Sequence, residues 1–195
     1  MAVYPDAMTL GEARARFFAR WGLGPDGGYG DRWVRVETKP IPVYFPNTRS
    51  RVDAAKLHDL HHVATGYGAD WPGEAQIAAW EIAGGCGRYG WAWLLNLGAF
   101  TIGIVLWPRR LFRAFVHGSR ASNLYHTPFG DDQLATVTVG ELRRRLGIAE
   151  AEPQPEARDR VRFAAWCAAG LAWYAAWAMG GAAALYLVAR AAGLV

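Results

Sequence analysis

The sequence predicts an all-α protein, a compact helical domain followed by a C-terminal membrane-embedded helix. Three observations carry that expectation. Helix-start and helix-stop signals recur through the first 148 residues, two long runs carry no charge, and the one stretch that alternates, Arg32 to Phe45, does so weakly around Pro40, Pro42 and Pro46.

Thr9-Leu10-Gly11-Glu12 has the form of a capping box, with Leu10, Ala13, Phe17 and Trp21 on one helical face and Gly22 as the stop. Gly24 to Gly30 is a turn-rich loop. A second helix is expected from near Ser50, with Asp53 three residues on, to about Thr65; it carries the histidines. Pro72 suits the first position of a third helix, where its missing N–H has no intrahelical partner to lose. That helix is expected to end at Gly84-Gly85. Arg110 to Leu124 reads as helical, Thr127 to Asp132 as a turn, and Gly140 to Leu146 as a short helix closed by Gly147. The domains expected are 9–148, a linker over 149–162, and a membrane-embedded helix over 163–190.

The charge-free runs differ. Phe163 to Ala189 lies between Arg158, Arg160 and Arg162 on one side and Arg190 on the other. It exceeds the roughly 20 apolar residues that cross a hydrocarbon core, and Gly180-Gly181 could kink it or make it re-entrant. Tyr89 to Trp107 contains Asn96, Gly98 and Gly103 and reads better as a buried or shallowly inserted helix. Were it to span, the ten arginines between 108 and 162 would lie across the membrane from the histidines. The positive-inside tendency would then turn the histidine helix outward.

The 195 residues are 52% hydrophobic and 19% charged, and ten are Trp, a residue that favours membrane interfaces. Net charge is +4; Lys occurs only at 39 and 56, so the basic residues are almost all Arg. Such a balance suits nucleic acid or an anionic membrane. No basic stripe interleaved with aromatics supports nucleic acid, so the expected partner is membrane lipid. Genome composition is an alternative source of the arginines. Cys86 and Cys167 form no C-x-x-C pair and fit a reducing compartment, with their pairing left open. Met1 to Leu10 has no basic region followed by an apolar core, so no cleaved signal peptide is expected.

The chemistry lies in His58-Asp59-Leu60-His61-His62 and, after eleven intervening residues, Glu74. At about 100° per residue, His62 falls near 40° and Asp59 near 100° from His58, while His61 falls near 60° the other way. His58, Asp59 and His62 therefore converge on one arc, and the glycine-containing turn lets Glu74 return from the next helix. Two imidazoles and two carboxylates suit Zn2+, with iron or manganese as alternatives, and their charge of −2 neutralises a divalent ion. A histidine pair four apart is more often surface or core than ligand; the two acidic residues raise its weight. Glu81, one heptad after Glu74, could support a ligand from behind, although a charge satisfied elsewhere is the commoner outcome.

The pattern H-D-x-x-H-x11-E resembles the signature of the coenzyme Q biosynthesis protein 4 family. Thr65-Gly66-Tyr67-Gly68 and Gly73-Glu74 are similar to that family's loop, Leu10 to Leu23 to its opening helix, Arg113 to Leu124 to its basic helix, and Gly140 to Ile148 to its closing helix. The resemblance covers about 9–148. It implies an all-helical, membrane-associated protein that binds zinc and a prenylated lipid and takes part in oxidative decarboxylation of a ubiquinone precursor, replacing the ring carboxyl by hydroxyl. It implies as partners the prenylated quinone precursor and other quinone biosynthesis proteins, with a homodimer allowed. The expected location is the cytoplasmic face of a bacterial inner membrane. Three departures stand out: Tyr125 to Asp132 lacks the Trp-Glu pair expected before the closing helix, 32–49 is irregular, and the tail after Ile148 has no counterpart. The alternative function is a non-catalytic, zinc-containing scaffold that binds prenyl lipid. A membrane di-iron hydroxylase, suggested by His58-x-x-His61-His62, would need more histidines than His117 and His126 supply. A zinc peptidase is disfavoured because the helix does not read H-E-x-x-H.

Overall fold

The computed structural model describes residues 4–37, 42–127, 129–149, 151 and 153–193. Pro40, Pro128 and, in the expected linker, Glu150 and Glu152 lie outside them, as do Met1 to Val3. The described residues form seven α-helices and one two-stranded sheet, so the fold is all-α. In chain order these are α1 (Leu10–Trp21), β1 (Trp33–Val36), β2 (Val43–Pro46), α2 (Arg49–Thr65), α3 (Trp71–Gly84), α4 (Gly90–Leu106), α5 (Pro108–Gly118), α6 (Val139–Leu146) and α7 (Ala157–Ala191), with a 3-10 turn over Asp131–Ala135. They divide into two units, Met1–Pro155 and Glu156–Val195.

Helix ends follow local chemistry. Thr9 accepts the N–H of Glu12 while Glu12 accepts the N–H of Thr9, the reciprocal capping box, and Gly22 ends α1 in the left-handed region. The α2 cap is Thr48, whose hydroxyl accepts the N–H of Arg51, and the helix begins at Arg49, next to the expected Ser50. Asp70 caps α3 through the N–H of Gly73, with Pro72 in the first turn. α5 ends at Gly118, well short of Leu124, because the chain turns there against α3: a Cβ at Gly118 would lie 2.1 Å from the Trp80 carbonyl oxygen.

Within the irregular stretch at 32–49, β1 and β2 pair antiparallel, with Trp33 opposite Pro46 and Val36 opposite Val43. Pro46 sits at the outermost pair, where a missing N–H costs the ladder least. The expected linker also shortens, because α7 begins at Ala157, where Asp159 accepts the N–H of Glu156 in a second capping box. Arg158, Arg160 and Arg162 are therefore helical. α7 runs unbroken through Gly180-Gly181.

Within Met1–Pro155, α3 packs against α4 and α5, and α2 bridges α1, α4 and α6. Leu10, Phe17, Leu60, Ile77, Trp80, Leu142 and Leu146 are all at most 1% exposed. The two ends of the body close on each other through Leu10 N–H to Val137 O and Val139 N–H to Met8 O. Arg143 ties α6 to the Ala64 carbonyl of α2, the Tyr4 carbonyl and Asp6. α7 alone is long and apolar enough to cross a membrane among the described residues, and its most apolar window has no buried residue.

Gly118→Ala is expected to lower stability by about 1–3 kcal/mol, the usual cost of forcing a methyl into a packed crossing. Thermal unfolding of the purified full chain checks this; an unchanged midpoint would mean that α3 and α5 can separate freely.

Candidate metal site

α2 delivers His58, Asp59, His61 and His62 as two turns of one helix. Gly66 reverses the chain in the left-handed region, and Asp70 starts α3 so that Glu74 falls in its first turn. The reversal is tight, since a Cβ on Gly73 would sit 2.0 Å from the Gly68 carbonyl oxygen. Only glycine lets the two strands of this turn meet, and Glu74 is the next residue.

Three donors converge. His58, His62 and Glu74 each place a ligand atom within 4.8 Å of the other two, and the group could hold a metal ion. The separations are 3.1 Å between the two Nε2 atoms, 3.4 Å from His58 Nε2 to Glu74 Oε2 and 3.6 Å from His62 Nε2 to Glu74 Oε1. Donors bound about 2.1 Å from one tetrahedral ion are roughly 3.4 Å apart. The ring orientations agree with this use. His62 Nδ1–H donates to the Tyr67 carbonyl at 3.1 Å, leaving Nε2 with its lone pair toward Glu74. His58 Nδ1–H donates to Glu81 Oε1 at 2.9 Å, again freeing Nε2. A hydrogen bond on the far nitrogen is the usual way a ligating imidazole is aimed. Phe17 stacks on His62 at 5.1 Å between centroids and fixes its plane.

Asp59, the fourth expected ligand, is not among the converging donors. Its Oδ2 accepts the Tyr29 hydroxyl at 2.5 Å. The side chain leaves the helix about 100° round from His58 and is short, and Tyr29 reaches it from the glycine-rich loop. Burial raises the Asp59 carboxyl to about 6, against the opposing effects of His58 and the Tyr29 hydrogen bond. Burial, with Asp59 beside it, also holds the Tyr29 hydroxyl in its neutral form.

His61 is no ligand. Its Nδ1–H donates to Glu81 Oε1 at 2.6 Å and its Nε2 accepts the Leu124 N–H at 2.9 Å, so both nitrogens are used. Glu81, expected to find its partner elsewhere, is the centre of the arrangement. It is fully buried, and besides the two imidazoles it accepts the Tyr125 hydroxyl at 3.0 Å and the Asn96 amide. Its signal in the sequence is a lone carboxylate in the apolar stretch of α3, complemented by a lone amide in the apolar run of α4. Tyr29 and Tyr125 gave none.

The charges are coupled. Burial works against ionising Glu81, but His58 and His61 outweigh it and hold the carboxyl well below its usual range. Burial pulls His62 down to about 4, so it is neutral. Burial opposes a charge on His58 too, but Glu81 and Glu74 together raise it well above the ordinary histidine value. Without a metal, a proton on His58 Nε2 thus does a cation's work among acceptors that would otherwise repel.

Comparison with protein-family models, with curated proteins and with solved structures finds no match to this chain.

Elemental analysis of purified variants tests the donor set. His58→Ala, His62→Ala and Glu74→Ala are each expected to lose most bound metal, while His61→Ala keeps most of it; equal loss in all four would contradict the geometry. The raised His58 value also sets a pH dependence. Its proton must leave before Nε2 can bind, so apparent affinity should climb with pH and keep climbing past about 6.5, the ordinary imidazole value. Competition against a chromogenic chelator measures this, and affinity flat from about pH 6 to about pH 8 would contradict a protonated His58.

Proposed function

We propose that this chain is a zinc-dependent membrane protein of ubiquinone biosynthesis, acting on a prenylated aromatic precursor in the oxidative decarboxylation of its ring carboxyl. The observation that carries the reading is the convergence of His58, His62 and Glu74 from two consecutive helices, on the H-D-x-x-H-x11-E spacing that resembles the coenzyme Q biosynthesis protein 4 family. Two imidazole nitrogens and a carboxylate are the donors of many catalytic zinc sites, which keep a further position for substrate or water. Iron or manganese would accept the same donors.

The residues divide the work. His58, His62 and Glu74 hold the ion, whose chemistry when bound is that of a Lewis acid toward the ring carboxylate or phenolate. Glu81 aims His58 from behind and the Tyr67 carbonyl aims His62. Glu74 is the most exposed of the three donors, which leaves that side of the site reachable. On the other flank of α2, a cleft of about 670 Å³ is walled by Leu57, Leu60, Tyr89, Trp91, Leu94 and Phe129, apolar and aromatic groups suited to an isoprenoid chain. Its polar lining is mixed in charge, with Lys56 paired to Asp131 and with Asp53 and Arg88 beside them. The overall change, loss of carbon dioxide and gain of a hydroxyl at one ring carbon, takes one oxygen atom from dioxygen. The other leaves as water with two protons and two electrons from a partner enzyme. α7 would anchor the protein in the bilayer, with the arginine-rich body on the cytoplasmic face of a bacterial inner membrane.

The second reading is a non-catalytic, zinc-containing scaffold that presents prenyl lipid to other enzymes; it is favoured by the apolar and aromatic walls of the cleft, which would hold a lipid without any chemistry at the ion. Deleting the gene is expected to lower quinone and to accumulate a prenylated hydroxybenzoate that keeps its carboxyl. Unchanged quinone without that intermediate would remove the protein from the pathway. Complementation with Glu74→Gln, with the variant's abundance in membranes measured alongside, separates the two readings: a catalytic site should fail to restore quinone at normal abundance, whereas a scaffold should restore quinone in proportion to its abundance.

A further inference from the structure

α4 has an unusual division of its two sides. Its inward face is formed by Ala92, Asn96, Phe100 and Gly103, all buried. Asn96 donates to Glu81, so the polar side chain at the middle of the helix points into the protein. The opposite face runs Trp91, Leu94, Leu95, Ile102, Val105 and Leu106, at spacings of three, four and seven that keep to one side of a helix. Every one of these side chains is apolar. Val105 is 72% exposed and Leu106 56%, with Leu94 and Leu95 also exposed. A helix of a water-bathed surface would carry its polar residues here.

The ends of the stripe say what covers it. Trp107 follows its last turn, and Arg109 and Arg110, both exposed, come after Pro108. Arg88 precedes its first turn, and Trp91 stacks on Phe45 of β2 at 5.5 Å between centroids. Next to Phe45, β2 exposes Tyr44 and Val43. An apolar band with tryptophan at its ends and guanidinium groups beyond them matches a bilayer surface, with acyl chains for the band, the interface for the indoles, and anionic phosphates for the arginines. A second copy is a poorer match. The stripe is roughly 25 Å long and 10 Å wide, well short of the roughly 800 Å² per partner that a stable interface buries.

We infer that the outer face of α4 is a membrane-docking surface that lies in the headgroup region of an anionic leaflet, separate from the apolar helix α7. The inference rests on α7 entering a bilayer and is independent of the metal reading. Docking would hold the 89–94 end of α4, which walls the cleft of the body, against the lipid from which an apolar ligand arrives.

Site-directed spin labelling of the full chain in vesicles of phosphatidylcholine and phosphatidylglycerol tests it. Cys167→Ser removes the one partly exposed thiol, and Cys86 is fully buried. Single labels at Val105→Cys, Ile102→Cys, Leu185→Cys and Arg20→Cys are then compared for collision with dioxygen, which concentrates in lipid, and with a water-soluble nickel chelate. Labels at 102 and 105 should favour dioxygen, 185 should do so more strongly, and Arg20 should favour nickel. Arg109→Gln with Arg110→Gln, or vesicles of phosphatidylcholine alone, should shift label 105 toward nickel and leave 185 unchanged. Label 185 in lipid with label 105 in water throughout would overturn the docking surface while leaving α7 intact. Both labels in water would overturn both. Label 105 shielded from both reagents, with spectral broadening that vanishes on dilution with unlabelled protein, would mean that a second copy covers the face.

Discussion

A carboxylate with no exposed surface organises this protein. Removing Glu81 from water is costly unless its oxygens find donors, and breaking a buried charged network by losing one partner typically costs about 3–5 kcal/mol. Four donors meet it: His58 and His61 from α2, Asn96 from α4, and Tyr125 from the turn after α5. Two helices and one turn are thus committed to a single arrangement around one residue of α3. Apolar packing alone tolerates sliding; a hub that needs all of its hydrogen bonds does not.

The same hub explains how the candidate metal site is held. His58 has two jobs that require each other. Its Nδ1–H satisfies Glu81, and that bond turns Nε2 toward His62 and Glu74. His61 supplies Glu81 with its second imidazole N–H and, with its own Nε2 on the Leu124 N–H, stays out of the ion's reach. Two adjacent histidines of like chemistry are thereby given unlike roles by the backbone and one buried acid. The negative charge of Glu74 and Glu81, with Asp59 close by, is what a divalent cation would neutralise. The raised proton affinity of His58 is the same demand met by the smallest cation.

How far this was legible from sequence depended on range. Short-range chemistry read well. The Thr9–Glu12 capping box, the glycine stops at 22 and 147 and the return of Glu74 at the start of α3 rest on residues within a turn or two of each other. A boundary set by a crossing did not. α5 stopped at Gly118 because Trp80 of α3 lies against it. The strand pair was hidden because its alternation is short and broken by prolines. Long-range partners were hidden most. The helical wheel put Asp59 on the ligand arc, yet a tyrosine thirty residues away engages it, and no periodicity predicts that.

The two apolar helices show that composition fixes less than the placement of one polar atom. α7 carries 27 consecutive uncharged residues with arginines towards its ends, and is long and apolar enough to cross a membrane. α4 is as apolar in composition but contains Asn96, and an amide facing hydrocarbon would lose its hydrogen bonds. Delivering that amide to Glu81 fixes which side of α4 faces inward, and so fixes which side is left over. The face left over carries Leu94, Leu95, Val105 and Leu106, the apolar surface inferred to meet lipid. One requirement, that Glu81 be satisfied, therefore reaches from the imidazoles of α2 to the surface that α4 presents to its surroundings.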